Sequence, residues 1–193
     1  MSRAGKIKRT VLIALLGIAA GALVYGIVLN WPGRGTAVAP SPEASGPGDS
    51  PSPVNQPRPN FAMPDLAGTP HQVKEWDGKV LAVNFWATWC GPCKEEIPLF
   101  NAMQKQYGPR GVQFVGVAMD ARGAVKDYLK THAIDYPVLV NGEDAASDLA
   151  VRYGDDQGVV PYTAFINRQG RIAFVQFGAM SDDLARQVIE SLL

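Results

Sequence analysis

Cys90 and Cys93 are the only thiols in this 193-residue chain, and they lie within FWATWCGPCKEEIP, residues 85–98. Two sulfurs three residues apart can form a structural disulfide, hold a metal, or act as a reversible dithiol. A bridge closing so short a loop contributes only about 2 kcal/mol and is a poor staple for a large domain. Structural zinc needs four ligands, and only His71 and His132 are available to join the thiols. One falls in a loop before the first strand, the other at the end of a helix, and there is no second CxxC. The dithiol reading has a local physical basis. Cys90 stands between an apolar strand and a helix, where unpaired backbone N–H groups stabilise a thiolate. Cys93, one turn further on, is placed to resolve a mixed disulfide formed at Cys90. Gly91 lets another backbone approach, and Pro92 suits a first-turn position that needs no N–H partner.

The flanking elements that position this pair read as an alternation of strands and helices. KVLAVNFWA (79–87) and GVQFVGVAM (111–119) are β-rich apolar runs suited to buried strands, and YPVLV (136–140) suits a shorter one. Helical spacing covers Pro92 to Tyr107, Ala121 to His132 and Asp144 to Tyr153. YTAFINRQGRIAFVQFG (162–178) reads as a hairpin turning over Asn167 to Gly170. SDDLARQVIESLL closes the chain as a helix with Ser181 as its N-cap. The expected class is α/β, a mixed sheet flanked by helices.

The N-terminal third has a different character. Residues 1–10 form a basic tip carrying Arg3, Lys6, Lys8 and Arg9, followed by Val11 to Leu29 without a charged side chain. A helix of that length spans about 28 Å, close to the hydrocarbon core of a bilayer. Residues 11–30 are therefore expected to be a single-pass transmembrane anchor, with the basic tip in the cytoplasm and the rest outside it. Ala37-Val38-Ala39 offers a rival signal-peptide cleavage site, but the apolar run is long for such a peptide and Pro40 would follow the cut. Residues 31–60 are rich in Pro and Gly and read as an extended linker. The folded domain is expected over 61–193. Residues 1–60 carry six Lys/Arg against two Asp/Glu and residues 61–193 twelve against sixteen. That acidic balance excludes nucleic-acid binding as a function class.

The segment WCGPC after an apolar strand and before a helix resembles the thioredoxin active site. Residues 60–193 as a whole resemble the TlpA/ResA-type branch of that superfamily. Pro98 sits where thioredoxins bend their active-site helix. Asn84 replaces the buried Asp of cytoplasmic thioredoxins, and Glu96 matches a Glu that the branch keeps three residues past the second Cys. The segment 124–154 corresponds to the extra helix and strand of the branch. GVVPYTAFINRQGRI (158–172) resembles the loop in which a cis-proline, here Pro161, faces the disulfide. The resemblance implies that Trp89 is exposed beside the thiols and that Val160 presents its backbone to an extended partner segment.

By the same resemblance the protein would be a thioredoxin-like thiol:disulfide oxidoreductase, tethered to a bacterial inner membrane with its domain in the periplasm. Cys90, Cys93 and Glu96 would be catalytic, and Trp89, Gly91, Pro92, Val160 and Pro161 would bind the partner. No metal and no cofactor beyond the Cys90–Cys93 couple are implied. Partners would be protein thiols and disulfides, such as apocytochrome c or copper-site assembly proteins, and an integral-membrane thiol electron donor. Reduction is the expected direction. An oxidant or isomerase and a non-catalytic thiol- or copper-binding module are the alternatives. A peroxidatic P-x-x-x-T-x-x-C setting is not matched, because Thr88 stands two residues before Cys90 and the Pro is absent.

Overall fold

Val80 to Trp86 is an unbroken run of seven buried residues, and the rest of the sheet assembles around it. The computed structural model describes residues 52–193. The expected anchor, and residues 31–51 of the expected linker, lie outside the described residues. In chain order the elements are β1 (Ala62–Pro64), β2 (Pro70–Gln72), β3 (Val80–Trp86), α1 (Gly91–Tyr107), β4 (Val112–Ala118), α2 (Arg122–Leu129), β5 (Val138–Leu139), α3 (Glu143–Tyr153), β6 (Tyr162–Ile166), β7 (Ile172–Phe177) and α4 (Asp182–Leu192). Among the described residues no helix is long and apolar enough to cross a membrane.

The main sheet has the order β5-β4-β3-β6-β7. β3 runs parallel to β4 and antiparallel to β6, so the sheet is mixed. Side chains alternate between faces along a strand, and both faces of this sheet are covered. Val80 and Ala82 of β3 join Phe114 and Phe165 against Phe100 and Met103 of α1 and Val188 and Ile189 of α4. Leu81, Val83 and Phe85 point the other way, onto Leu149, Ala150 and Tyr153 of α3. The same alternation sends Asn84 and Trp86 toward α1. This architecture is the thioredoxin-like mixed sheet expected from the sequence, and residues 124–154 contribute the end of α2, β5 and α3.

Three local features differ from expectation. Residues 62–76 form a small β1–β2 hairpin and a 3-10 turn, Val73–Trp76, rather than a loop. Its strands are three residues each and carry Pro64 and Pro70, which removes the usual strand signal. α2 stops at Leu129 instead of reaching His132. There Thr131 turns both its N–H and its hydroxyl onto Tyr128 O, at 3.2 and 3.3 Å, a local alternative to the next helical turn. Finally, part of the Pro-rich stretch assigned to the linker packs on the domain. Asn55 N–H donates to Ile172 O, Ile172 N–H to Gln56 O and Arg58 N–H to Gly170 O, with Pro57 opposite Arg171. β7 is an edge strand, where a Pro neighbour disrupts nothing.

Gly116 in β4 stands opposite Asn84 and is the one glycine in the strands of the main sheet. A Cβ there would lie 3.0 Å from Trp86 Nε1 and 3.3 Å from Tyr136 Cε2, and both rings are buried. Gly116→Ala is expected to lower the unfolding free energy by about 1–3 kcal/mol through overpacking. Urea denaturation measures this, and an unchanged midpoint would mean that the two rings have room to move.

Candidate active site

The strand β3 ends at Trp86, whose carbonyl accepts Met119 N–H at 2.8 Å. Beyond it the chain turns through Ala87, Thr88 and Trp89. Asp120, just past β4, holds that turn: its Oδ2 accepts Thr88 N–H at 3.1 Å and the Thr88 hydroxyl at 2.5 Å. Cys90 is then the N-cap of α1, with extended backbone, and its Sγ accepts Cys93 N–H at 3.1 Å. The helix N-terminus is thus aimed at the Cys90 sulfur, an arrangement that favours a thiolate there once the pair is reduced. Pro92 occupies the first turn, and both it and Gly91 are exposed. Cys90 and Cys93 are joined as a disulfide. Cys90 is 5% exposed and Cys93 1%, so Cys90 is the more accessible residue of the pair. Trp89 beside it is 65% exposed, whereas Trp86 is core.

Glu96 lies three residues after Cys93 in α1, on the same face of the helix, and is only 3% exposed. Its Oε1 accepts Met180 N–H at 2.9 Å and its Oε2 accepts Asn84 Nδ2–H at 3.3 Å. Asn84 also donates to the Thr163 hydroxyl at 2.9 Å, which fixes its amide. Burial outweighs these two neutral donors and pushes the Glu96 carboxyl up to about 7. A carboxyl with that affinity can take a proton from a neighbouring thiol, and return it, near neutral pH. Glu95 next to it is exposed, as a solvated helix-face residue should be.

The Val160–Pro161 peptide is cis. The Val160 side chain packs against the cluster that contains Cys90, Cys93 and Ile97. Pro161 O accepts Gly178 N–H at 2.8 Å, and two residues later Met180 reaches Glu96. Thus the residues singled out from sequence converge at one end of the sheet. Sequence reasoning missed four others: Thr163, Met180, Asp120 and the bonding role of Asn84. A polar residue at a core-facing position of β3 was the available signal for Asn84. Among the described residues no cluster of three or more His, Cys, Asp or Glu is placed to hold a metal. His71 bonds Glu75 at 2.9 Å, and His132 stacks on Tyr128.

Residues 54–175 match the family described as AhpC/TSA. The thiol-disulfide oxidoreductase ResA of Bacillus subtilis (strain 168) is 31% identical over 127 residues, 65% of this chain and 68% of that protein. ResA of Geobacillus thermodenitrificans (strain NG80-2) is 28% identical over 187 residues, 96% of this chain and 95% of that one. Among solved structures, a thiol:disulfide interchange protein of the thioredoxin family from Chlorobium tepidum TLS superposes with a TM-score of 0.63 at 32% identity. That match covers 74% of this chain and 98% of the other.

The raised Glu96 carboxyl has a consequence for stability. Its folded-state affinity, near 7, lies above the ordinary value of 4.5, so the folded protein holds this proton where the unfolded chain has lost it. The contribution is full below the ordinary value and is lost as pH rises through about 7, amounting to about 3 kcal/mol. Between pH 4.5 and 8 the wild type should lose about that much stability relative to Glu96→Gln. Denaturant titration of both oxidised proteins across that range checks it; parallel pH curves would place the carboxyl at its ordinary value.

Proposed function

The chain belongs to the AhpC/TSA family and is a ResA-type thiol-disulfide oxidoreductase, and from that premise we propose that it reduces disulfides in exported partner proteins. The observation that supports this reading is Glu96, three residues after Cys93 on α1, buried, with its carboxyl pushed up to about 7. Cys90 thiolate attacks one sulfur of a partner disulfide, forming a mixed disulfide and releasing the partner's other sulfur as a thiolate. Cys93 then gives its proton to Glu96 and attacks Cys90 Sγ. The Cys90–Cys93 bond closes, the second partner thiol leaves, and two electrons have passed to the partner. A dithiol donor must return them, and no cofactor is needed because the two sulfurs carry the electron pair.

Trp89, exposed beside Cys90, covers the thiols and contacts the partner. Gly91 and Pro92 keep the approach to Cys90 open, and Val160 offers its backbone to the partner's extended segment. In this reading residues 11–30 anchor the protein in a bacterial inner membrane, and the Pro-rich stretch beyond holds the domain in the periplasm. Its electrons then come from an integral-membrane thiol carrier. Apocytochrome c and copper-site assembly proteins fit the required substrate chemistry, exported chains whose cysteines must be kept reduced.

The test is the redox potential of the Cys90–Cys93 couple in graded dithiothreitol buffers. A reductant is expected to lie near thioredoxin, about −270 mV, and a value approaching about −120 mV would reverse the direction. In the same protein Glu96→Gln is expected to slow reduction of insulin by about tenfold or more near pH 7. An unchanged rate would remove Glu96 from the chemistry.

A further inference from the structure

Asp155 is a buried carboxylate that the thiol chemistry does not use. It is 0% exposed, although Asp156, Gln157 and Gly158 after it are all exposed. The base of its loop is tightly pinned. Asp155 N–H donates to Ala150 O of α3 at 2.9 Å, and the Tyr162 hydroxyl donates to Tyr153 O at 2.8 Å. Gly154 between them is left-handed (φ 107°), and a Cβ there would lie 3.1 Å from that hydroxyl and closer still to Pro53. From this fixed base the Asp155 side chain reaches forward along its own loop. Oδ1 accepts Val159 N–H at 3.1 Å, while Oδ2 is buried without a hydrogen-bond partner; the backbone N–H groups of Gln157 and Gly158 lie near enough to favour the charged carboxylate. The loop is therefore tied to this carboxylate at Val159, and it leads into Val160, which packs against the cluster containing Cys90 and Cys93.

Burying a carboxylate costs free energy that an apolar residue at the end of α3 would not. What the carboxylate provides in return is a defined path for residues 155–161. If it were removed, the Val159 N–H would lose its acceptor and turn to water, so the loop would loosen while the core stayed closed. We propose that Asp155 is a positioning residue for partner binding, its carboxylate setting the path of the loop so that Val160 is held beside the Cys90–Cys93 pair. This rests on the reading that the Val160 loop receives the partner. A protein disulfide that lies across the loop should feel the change, whereas a small disulfide that meets only the sulfurs should not.

The experiment uses the full-length protein, with insulin as the protein disulfide and dithiothreitol as electron source, and the small aromatic disulfide DTNB as the second probe. Asp155→Ala is expected to raise KM for insulin about tenfold while kcat and the DTNB rate stay within about twofold. Asp155→Asn, which keeps one acceptor oxygen, is expected to raise KM only about threefold. Val160→Lys serves as the reference, since it alters the loop's exit and leaves the Asp155–Val159 contact in place. A raised KM in Val160→Lys with no change in Asp155→Ala overturns the role of Asp155 and leaves the loop reading standing. An unchanged KM in both removes the loop reading and the proposal with it. Equal losses toward insulin and DTNB in Asp155→Ala indicate a general structural role and also overturn the proposal. Should Asp155→Ala fail to fold, Asp155→Asn decides by the same criteria.

Discussion

The constraint on which the proposed chemistry depends is a carboxyl group held out of water three residues past Cys93 on α1. Glu96 can stay buried only because two neutral N–H donors meet it, and they come from distant parts of the chain. Asn84 lies in the central strand and Met180 in the segment after β7, yet both reach the same side chain on α1. Two neutral hydrogen bonds soften the cost of burying a charge without abolishing it. The residual cost is the useful quantity, because it lifts the carboxyl to about 7. A cation in the same place would have pushed the carboxyl down and left it unable to hold a proton near neutrality.

In the proposed mechanism, the rest of this end of the sheet positions the two sulfurs. Thr88 and Asp120 clamp the turn that delivers Cys90 to the helix N-terminus. The helix then sets Cys90 at its N-cap and Cys93 one turn inside, three residues before Glu96. The loop ending at Pro161 closes the third side, with Val160 against the same cluster. Three separate pieces of chain are needed, and only one of them carries the cysteines. That is why the site cannot be reduced to a CxxC motif, even though the motif is what makes it visible.

The range of the forces involved decides what was legible in the sequence. The buried strands, the hairpin turn at Asn167–Gly170 and the Ser181 cap stand out because their signals are local periods and local hydrogen bonds. Glu96 and Pro161 were legible through a resemblance, and Cys90 and Cys93 through their setting. The donors to Glu96 were not, since Met180 is 84 positions away and Thr163, which orients Asn84, is 79 from it. The same holds for residues 55–58, whose composition suggests a spacer. Their backbone pairing with Gly170 and Ile172 depends on an edge strand more than a hundred residues downstream. The β1–β2 hairpin failed for the opposite reason: its strands are too short to show any period.

The most direct measurement is the titration of the Glu96 carboxyl itself in the oxidised protein, by carbon-13 NMR of protein labelled at its glutamate side chains, with Glu96→Gln assigning the resonance. The expected result is a midpoint near 7, set by burial against two neutral donors. A midpoint near the ordinary carboxylate value of 4.5 would contradict the account, because Glu96 would then be an anion too weakly basic to take a proton from Cys93.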